Sequence, residues 1–328
     1  MKIAVLGAGA WGTAIATTLA QRHTVVLWAR NSQQCAAMRE QGVNQRYLPG
    51  QALPPHMAIT DSVGAALQAA DYALIAVTTP ALRETLQRIS AHNSQPPVIC
   101  LCKGFEPGRA QLPHQVCADE LGDNNPCGVL SGPSFAQEVA RGLPTAVTLA
   151  SSSAEFARAA ALALHSPAFR VYSSDDVIGV EVAGAVKNVM AIAAGICDGL
   201  QYGYNARAAL ITRGLVEITR LGVALGGRAE TFMGLAGAGD LILTCTGDLS
   251  RNRQVGLKLA QGEPLDMILR KLGHVAEGVN TARELHSIAA RLGIEMPITR
   301  AVCRVLIDHT QARSAADELL QRGPKAEH

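Results

Sequence analysis

The stretch VLGAGAWG, residues 5–12, decides the fold. It places Gly7, Gly9 and Gly12 in G-x-G-x-x-G spacing, directly after an apolar run at residues 2–6 and directly before a helical stretch at residues 13–21. Position gives the motif its weight, because a Gly-rich turn elsewhere meets the same spacing by chance. Between strand and helix, the first Gly permits a tight turn and the second lets backbone approach a pyrophosphate. The third lets the helix pack close while its N-terminal amides face the anion.

Working outward, the runs at residues 24–28, 72–77, 98–102, 128–131 and 146–150 are apolar, of strand length and mostly followed by turn residues. Strands of a parallel sheet, buried on both faces, read this way. Ala- and Leu-rich stretches such as residues 13–21 and 82–91 lie between several of them, which gives the β-α-β alternation of a doubly wound domain. From about Val177 the segments lengthen, grow richer in Ala, Leu and Arg, and are broken by Gly199, Gly222, Gly262, Gly273 and Gly293 as turns. The predicted fold class is α/β: an N-terminal Rossmann-type sheet over residues 1–177, followed by an all-α C-terminal domain over residues 178–328. The closing QRGPKAEH reads as a frayed tail.

A dinucleotide site of the NAD-preferring kind carries Asp or Glu about 20 residues past the Gly motif, to accept from the ribose hydroxyls. Here the second strand ends VVLWARN, no acidic residue precedes Glu40, and Arg30 stands where a 2′-phosphate would lie. NADP(H) is therefore expected to serve at least as readily as NAD(H). Ligands of open α/β sheets lie outside the carboxyl ends of strands, which puts Thr78, Thr79 and Pro80 near the nicotinamide end.

Composition excludes several other classes. At 328 residues, 48% hydrophobic and 17% charged, the chain has enough material for two well-filled cores. A net charge of +2 is too small for nucleic acid or an anionic membrane to be the main partner, and fits a small anionic substrate. The eight Cys lack metal-finger spacing, so free thiols and no metal are expected. The opening MKIAVLG has no charged n-region, and no apolar stretch is read as long enough for an integral membrane segment; the expected location is cytoplasmic.

The chemistry is carried by VEVAGAVKNVMAIAAGIC, residues 180–197. From residue 182 to 197 everything except Lys187 and Asn188 is apolar or Gly, so no polar stripe carries the Lys187 ammonium into water. A buried lysine either pairs with a carboxylate for structure or is kept for proton exchange, since desolvation and neighbours draw its pKa toward neutrality. Glu181 is one possible partner, but it lies six positions back, not one turn. Next to a nicotinamide, such a lysine acts as general acid toward a carbonyl oxygen and as general base in reverse.

Three further stretches resist a pure packing account. Lys103 in CLCKGFEPG follows a buried strand at the sheet edge. Gly132, Pro133 and Ser134 in LSGPSFAQEVARG end another strand, with Ser134 either a plain N-cap or a ligand for substrate. GAGDLILTCTGDLSRNRQVG combines Asp240, Thr244, Ser250, Arg251 and Asn252, and Arg with Asn and Ser makes a phosphate clamp, although SRNR also suits a solvated turn. Together these residues indicate a small phosphorylated carbonyl compound.

GAGAWGTA, NQRYLPG, CKGFEP, LSGPSFAQEVARGLPTA, GAVKNVMAIAAGICDGL, GLAGAGDLILTCTGDLSRNRQVG and VAEGVNT, in that order, make the chain resemble the bacterial NAD(P)-dependent sn-glycerol-3-phosphate dehydrogenases from about residue 1 to 310. The resemblance implies reversible reduction of dihydroxyacetone phosphate to sn-glycerol 3-phosphate, the backbone precursor of phospholipids, with no metal. It makes Lys187 the catalytic lysine, Asp240 a carboxylate beside its amine, and Lys103 a residue touching both cofactor and substrate. Gly132, Ser134, Thr244, Ser250, Arg251 and Asn252 match substrate positions, with Arg251 and Asn252 on the phosphate. Trp11, Arg30, Ala136, Arg251, Val275 and Glu277 match cofactor contacts. Ala10 stands where many members have Ser, so a hydroxyl bond to the pyrophosphate worth about 1 kcal/mol is replaced by the backbone amide alone. By analogy with other helical second domains, a homodimer is expected.

Two rivals remain open at this point. One is a related dehydrogenase acting on 3-hydroxy acids, sugar acids or ketopantoate, whose substrates present carboxylates; the other is a dinucleotide-sensing module with no catalysis, against which Lys187 and the residues from Asp240 to Asn252 argue.

Overall fold

The apolar runs form strands because each is buried on both sides. In the computed structural model, which describes residues 1–92, 95–272 and 276–323, β1 (Lys2–Leu6), β2 (Thr24–Trp28), β3 (Ala58–Thr60), β4 (Tyr72–Ile75), β5 (Val98–Cys100), β6 (Cys127–Ser131), β7 (Thr145–Ala150) and β8 (Phe169–Ser174) make one eight-stranded sheet in the order β3-β2-β1-β4-β5-β6-β7-β8. All neighbours run parallel except β6 and β7, which pair antiparallel, so the expectation of a wholly parallel sheet is corrected at that one step. Residues 76–77 and 101–102, read as strand, lie past the ends of β4 and β5.

The two strands that the apolar-run criterion passes over, β3 and β8, are the sheet's edges. β8 alternates buried and exposed at its start, as a strand with one wet face must, and so never presents a continuous apolar run.

The chain divides into compact units at Met1–Glu181 and Val182–His328. In the first, the core gathers Ile3, Val5, Ile15, Leu27, Leu74, Ile99 and Leu149 around the sheet. Its helices begin on side-chain caps where the sequence offers them: Asn31, Ser62 and Ser153 each accept the backbone N–H of the third residue of their helix, each cap being worth about 1 kcal/mol.

Every element from Val177 on is helical among the described residues. The helix Val177–Gly199 is long and apolar enough to cross a membrane, which corrects the reading that no stretch reaches that length. It is a core helix: 94% of its apolar window is buried inside the protein. Gly222 is not a turn but lies within the helix Gly203–Ala224, where a Cβ would collide with the ring of Phe232. Gly262 and Gly293 do turn, with φ of +80° and +65°. Gly273 and the last five residues of the predicted tail lie outside the described residues.

One crossing organises the helical unit. Gly195 and Gly256 let the helices Val177–Gly199 and Arg251–Ala260 meet backbone to backbone: a Cβ on Gly195 would overlap the Arg253 carbonyl, and one on Gly256 the Ile192 carbonyl. That approach brings the Nδ2 of Asn252 within 3.0 Å of the Asn188 Oδ1.

Candidate active site

The Gly motif sits as its spacing requires. Gly7 adopts φ +121°, a region L side chains rarely enter, and a Cβ there would meet the Ala76 carbonyl oxygen at 2.5 Å. At Gly12 a Cβ would overlap the Gly7 carbonyl. Gly9 differs: as N-cap of the helix Ala10–Ala20, its Cβ position meets nothing within 4 Å among the described residues. Open space lies over a helix N-terminus whose first-turn amides, including those of Ala10, Trp11 and Gly12, lack intrahelical acceptors, and this is what a pyrophosphate needs. Arg30 is exposed two residues past β2, and Pro80 lies in a short 3-10 turn past β4. The buried hydroxyls of Ser131, at the end of β6, and Thr79, in the turn after β4, have no hydrogen-bond partner among the described residues. The residues present therefore fit a dinucleotide.

Lys103, Gly132 and Ser134 come together beyond β5 and β6. The Gly132 carbonyl accepts from the Lys103 ammonium at 3.5 Å and from the Ser134 hydroxyl at 2.9 Å. Ser134 is thus not an N-cap. The short helix it precedes starts at Ala136 and is capped at Phe135, because the Ser134 hydroxyl turns back on its own loop.

In the helical unit, Lys187 is 7% exposed and donates to the Asp240 carboxylate at 2.5 Å and to the Thr244 hydroxyl at 2.9 Å. Thr244 in turn donates to the Asp240 carbonyl at 2.6 Å, one turn back in the helix Asp240–Thr246. The ammonium is therefore aimed by two groups fixed on one short helix. Glu181 is not its partner: that carboxylate accepts from the backbone N–H of His114 and pairs with its imidazole, while burial pushes the carboxyl above the usual carboxylate range. Burial also pushes the nearby Cys245 thiol up to about 12, so it stays neutral and adds no second anion beside Lys187.

Ser250 caps the helix Arg251–Ala260, its hydroxyl accepting from the Arg253 N–H, so SRNR is a helix start and not a loose turn. Arg251 is exposed at the first helical position. Asn252 is buried between Asn188 and Gly278, whose N–H it accepts at 3.1 Å, next to Glu277 at the start of the helix Glu277–Leu292. Val275 lies outside the described residues.

Sequence reasoning passed over Asp198 and Arg253. Arg253 is 9% exposed and grips Asp198 at 2.7 and 2.9 Å, tying the end of the lysine helix to the start of the Arg251–Ala260 helix. It also passed over the role of Asn188, although a second polar residue in an apolar helix was the available signal.

The family models for the N-terminal and C-terminal parts of NAD-dependent glycerol-3-phosphate dehydrogenase match residues 2–157 and 176–317. The chain belongs to this family. The glycerol-3-phosphate dehydrogenase (NAD(P)+) of Thiobacillus denitrificans is 58% identical over the whole of both chains, and that of Nitrosospira multiformis is 58% identical over 100% of this chain and 99% of the other. A crystal structure of glycerol-3-phosphate dehydrogenase from Coxiella burnetii matches with a TM-score of 0.94 at 44% identity, covering 98% and 99% of the two chains. Ketopantoate reductase from Ralstonia eutropha, at 18% identity and a TM-score of 0.60, shares the fold alone. Glycerol-3-phosphate dehydrogenase membership thus separates this chain from the carboxylate-directed rivals.

Proposed function

We infer that this chain is an oxidoreductase that reduces dihydroxyacetone phosphate to sn-glycerol 3-phosphate, reversibly, with NADPH or NADH. The product is the glycerol backbone that phospholipid synthesis requires. One observation carries the reading: a lysine held by Asp240 and Thr244 in an apolar helix, within a helical unit that matches the family's C-terminal part.

When bound, the reduced nicotinamide supplies the hydride. Lys187 donates the proton that the C2 oxygen requires, and is left as a neutral amine that solvent recharges. Asp240 favours the charged form before transfer and Thr244 fixes the direction of the N–H. Arg251, at a helix N-terminus capped by Ser250, and the Asn252 amide grip the substrate phosphate, because a guanidinium and helix-end amides converge there. Asn252 keeps one amide hydrogen beyond that given to Asn188. Lys103 and Ser134 hold substrate, and Gly132 shapes their loop. Trp11, Ala136 and Glu277 line the cofactor.

The decisive assay follows NADPH oxidation with dihydroxyacetone phosphate and then with unphosphorylated dihydroxyacetone. Turnover confined to the phosphate ester supports the clamp; equal rates with both compounds rule it out. Arg251→Ala is expected to raise KM for the phosphate ester by roughly 10- to 100-fold, the loss of a charge-assisted contact, with a much smaller change in KM for the coenzyme.

Arg30 tests the coenzyme assignment. Arg30→Ala should weaken NADPH by roughly tenfold while leaving NADH nearly unchanged, the worth of one hydrogen-bonded charge pair at an exposed site. Equal losses for both coenzymes would remove Arg30 from the 2′-phosphate.

The reading extends to assembly and location. Exposed Tyr204, Met233 and Ile242 on the helical unit support a homodimer, which sedimentation tests, and eight free cysteines support a reducing, cytoplasmic setting.

A further inference from the structure

The linear spacing of the cysteines conceals a cluster in the first unit. Cys100 ends β5, Cys117 lies midway along the connecting helix Pro113–Leu121, and Cys127 opens β6 beside β5. Strand, crossover helix and strand bring these three sulfurs within 4.8 Å of one another, with Cys100 and Cys117 at 3.4 Å. Cys100 and Cys117 are almost fully buried, while Cys127 is half-buried and gives the side of entry. A fourth thiol, Cys102, stands two residues after Cys100, just past the end of β5, and is half-buried.

We propose that Cys100, Cys117 and Cys127, with Cys102 as the fourth ligand, form a site for one soft, closed-shell divalent cation, Zn2+ in the first place. Four thiolates are a preferred tetrahedral zinc set, and a Zn–S bond of about 2.3 Å places neighbouring sulfurs about 3.8 Å apart. The observed separations stand within about 1 Å of that value, and three separate elements carry the ligands, so small side-chain rotations complete the set. Each ligating thiol releases its proton to solvent as its sulfur–metal bond forms; nothing is oxidised or reduced. The site is apart from the reaction, which uses no metal. Its occupancy fastens the segment leading from β5 directly into Lys103.

The test uses the full-length chain, reduced, stripped with chelator and kept anaerobic, titrated with Cd2+ as the spectroscopic probe. One Cd2+ per chain is expected, with a thiolate-to-metal absorption band; a chain preloaded with one equivalent of Zn2+ should give up that Zn2+ to the softer Cd2+, and Zn2+ alone should raise the melting temperature. Cys127→Ser should weaken binding by at least tenfold, whereas Cys303→Ser, in the helical unit, should leave it unchanged. Alkylation mapping on the unaltered chain, in enough denaturant for buried thiols to react slowly, guards against a variant that misfolds: Zn2+ should slow the alkylation of Cys100, Cys117 and Cys127 and leave that of Cys197 and Cys303, in the helical unit, as it was. Absence of a stoichiometric band, protection spread evenly over all cysteines, or full binding by a folded Cys127→Ser chain would each overturn the site.

Discussion

Lys187→Ala abolishes turnover: kcat falls by about 10³-fold or more, the upper part of what a positioned general acid contributes, while NADPH binding to the first unit is nearly intact. The single change also leaves Asp240 buried at 1% exposure without its cation, and breaking a buried pair costs about 3–5 kcal/mol. Loss of activity through unfolding must therefore be separated from loss of the proton donor. The double variant Lys187→Met/Asp240→Asn removes both charges from the pocket and recovers most of the melting temperature, yet stays inactive. Coenzyme titration by fluorescence and a thermal melt, run beside the assay, distinguish the two effects. A folded Lys187→Ala chain that retained a tenth of the original kcat would end the assignment of Lys187 as acid.

Gly256→Ala carries the second large effect, and two physical arguments predict opposite signs for it. Ala in a helix interior is favoured over Gly by about 1 kcal/mol, so local propensity alone raises stability. The added Cβ, however, falls on the Ile192 carbonyl, and backbone of one helix cannot yield to a side chain of another without parting the pair. Overpacking of this kind outweighs the gain, for a net loss of about 3 kcal/mol and a fall in melting temperature of roughly 10 °C. Because the same crossing sets Asn252 against Asn188, KM for the phosphate substrate rises in the surviving folded protein. A melting temperature that stays level or climbs would show that the helices do not meet as closely as Gly195 and Gly256 indicate.

How far the sequence could be read follows from where each residue's environment is decided. β1 and β2 were legible because both of their faces are buried, and that condition is written locally as a continuous apolar run. β3 and β8 were not, because an edge strand needs apolar residues on one face only and has only a single neighbour. Lys187 announced itself by contrast with its own helix. Its partners did not, since Asp240 lies 53 residues away and nothing local to either residue specifies the meeting. Asp240 stood out within its own Gly-rich stretch, but only the resemblance to known dehydrogenases, not periodicity, set it beside the Lys187 amine.

Arg251 and Arg253 show the same limit within one turn. They stand two apart in SRNR, and the alternation of exposure and burial between them depends on which helix face meets Asp198. Glu181 is a third case: its partner His114 is 67 residues away, so a reading confined to its own helix tests only the wrong candidates.

The helix Val177–Gly199 has a bearing on how the protein opens and closes over time. Residues 182–197 are buried on all sides, so no fluctuation confined to the surface of the helical unit exposes their amides to solvent. Hydrogen exchange along this segment proceeds only when the whole unit comes apart, which makes its slowest amides a direct gauge of that unit's total stability. The same segment, once exposed on a ribosome or during heat stress, is the part of the chain on which aggregation starts and to which a chaperone that recognises apolar chain must bind.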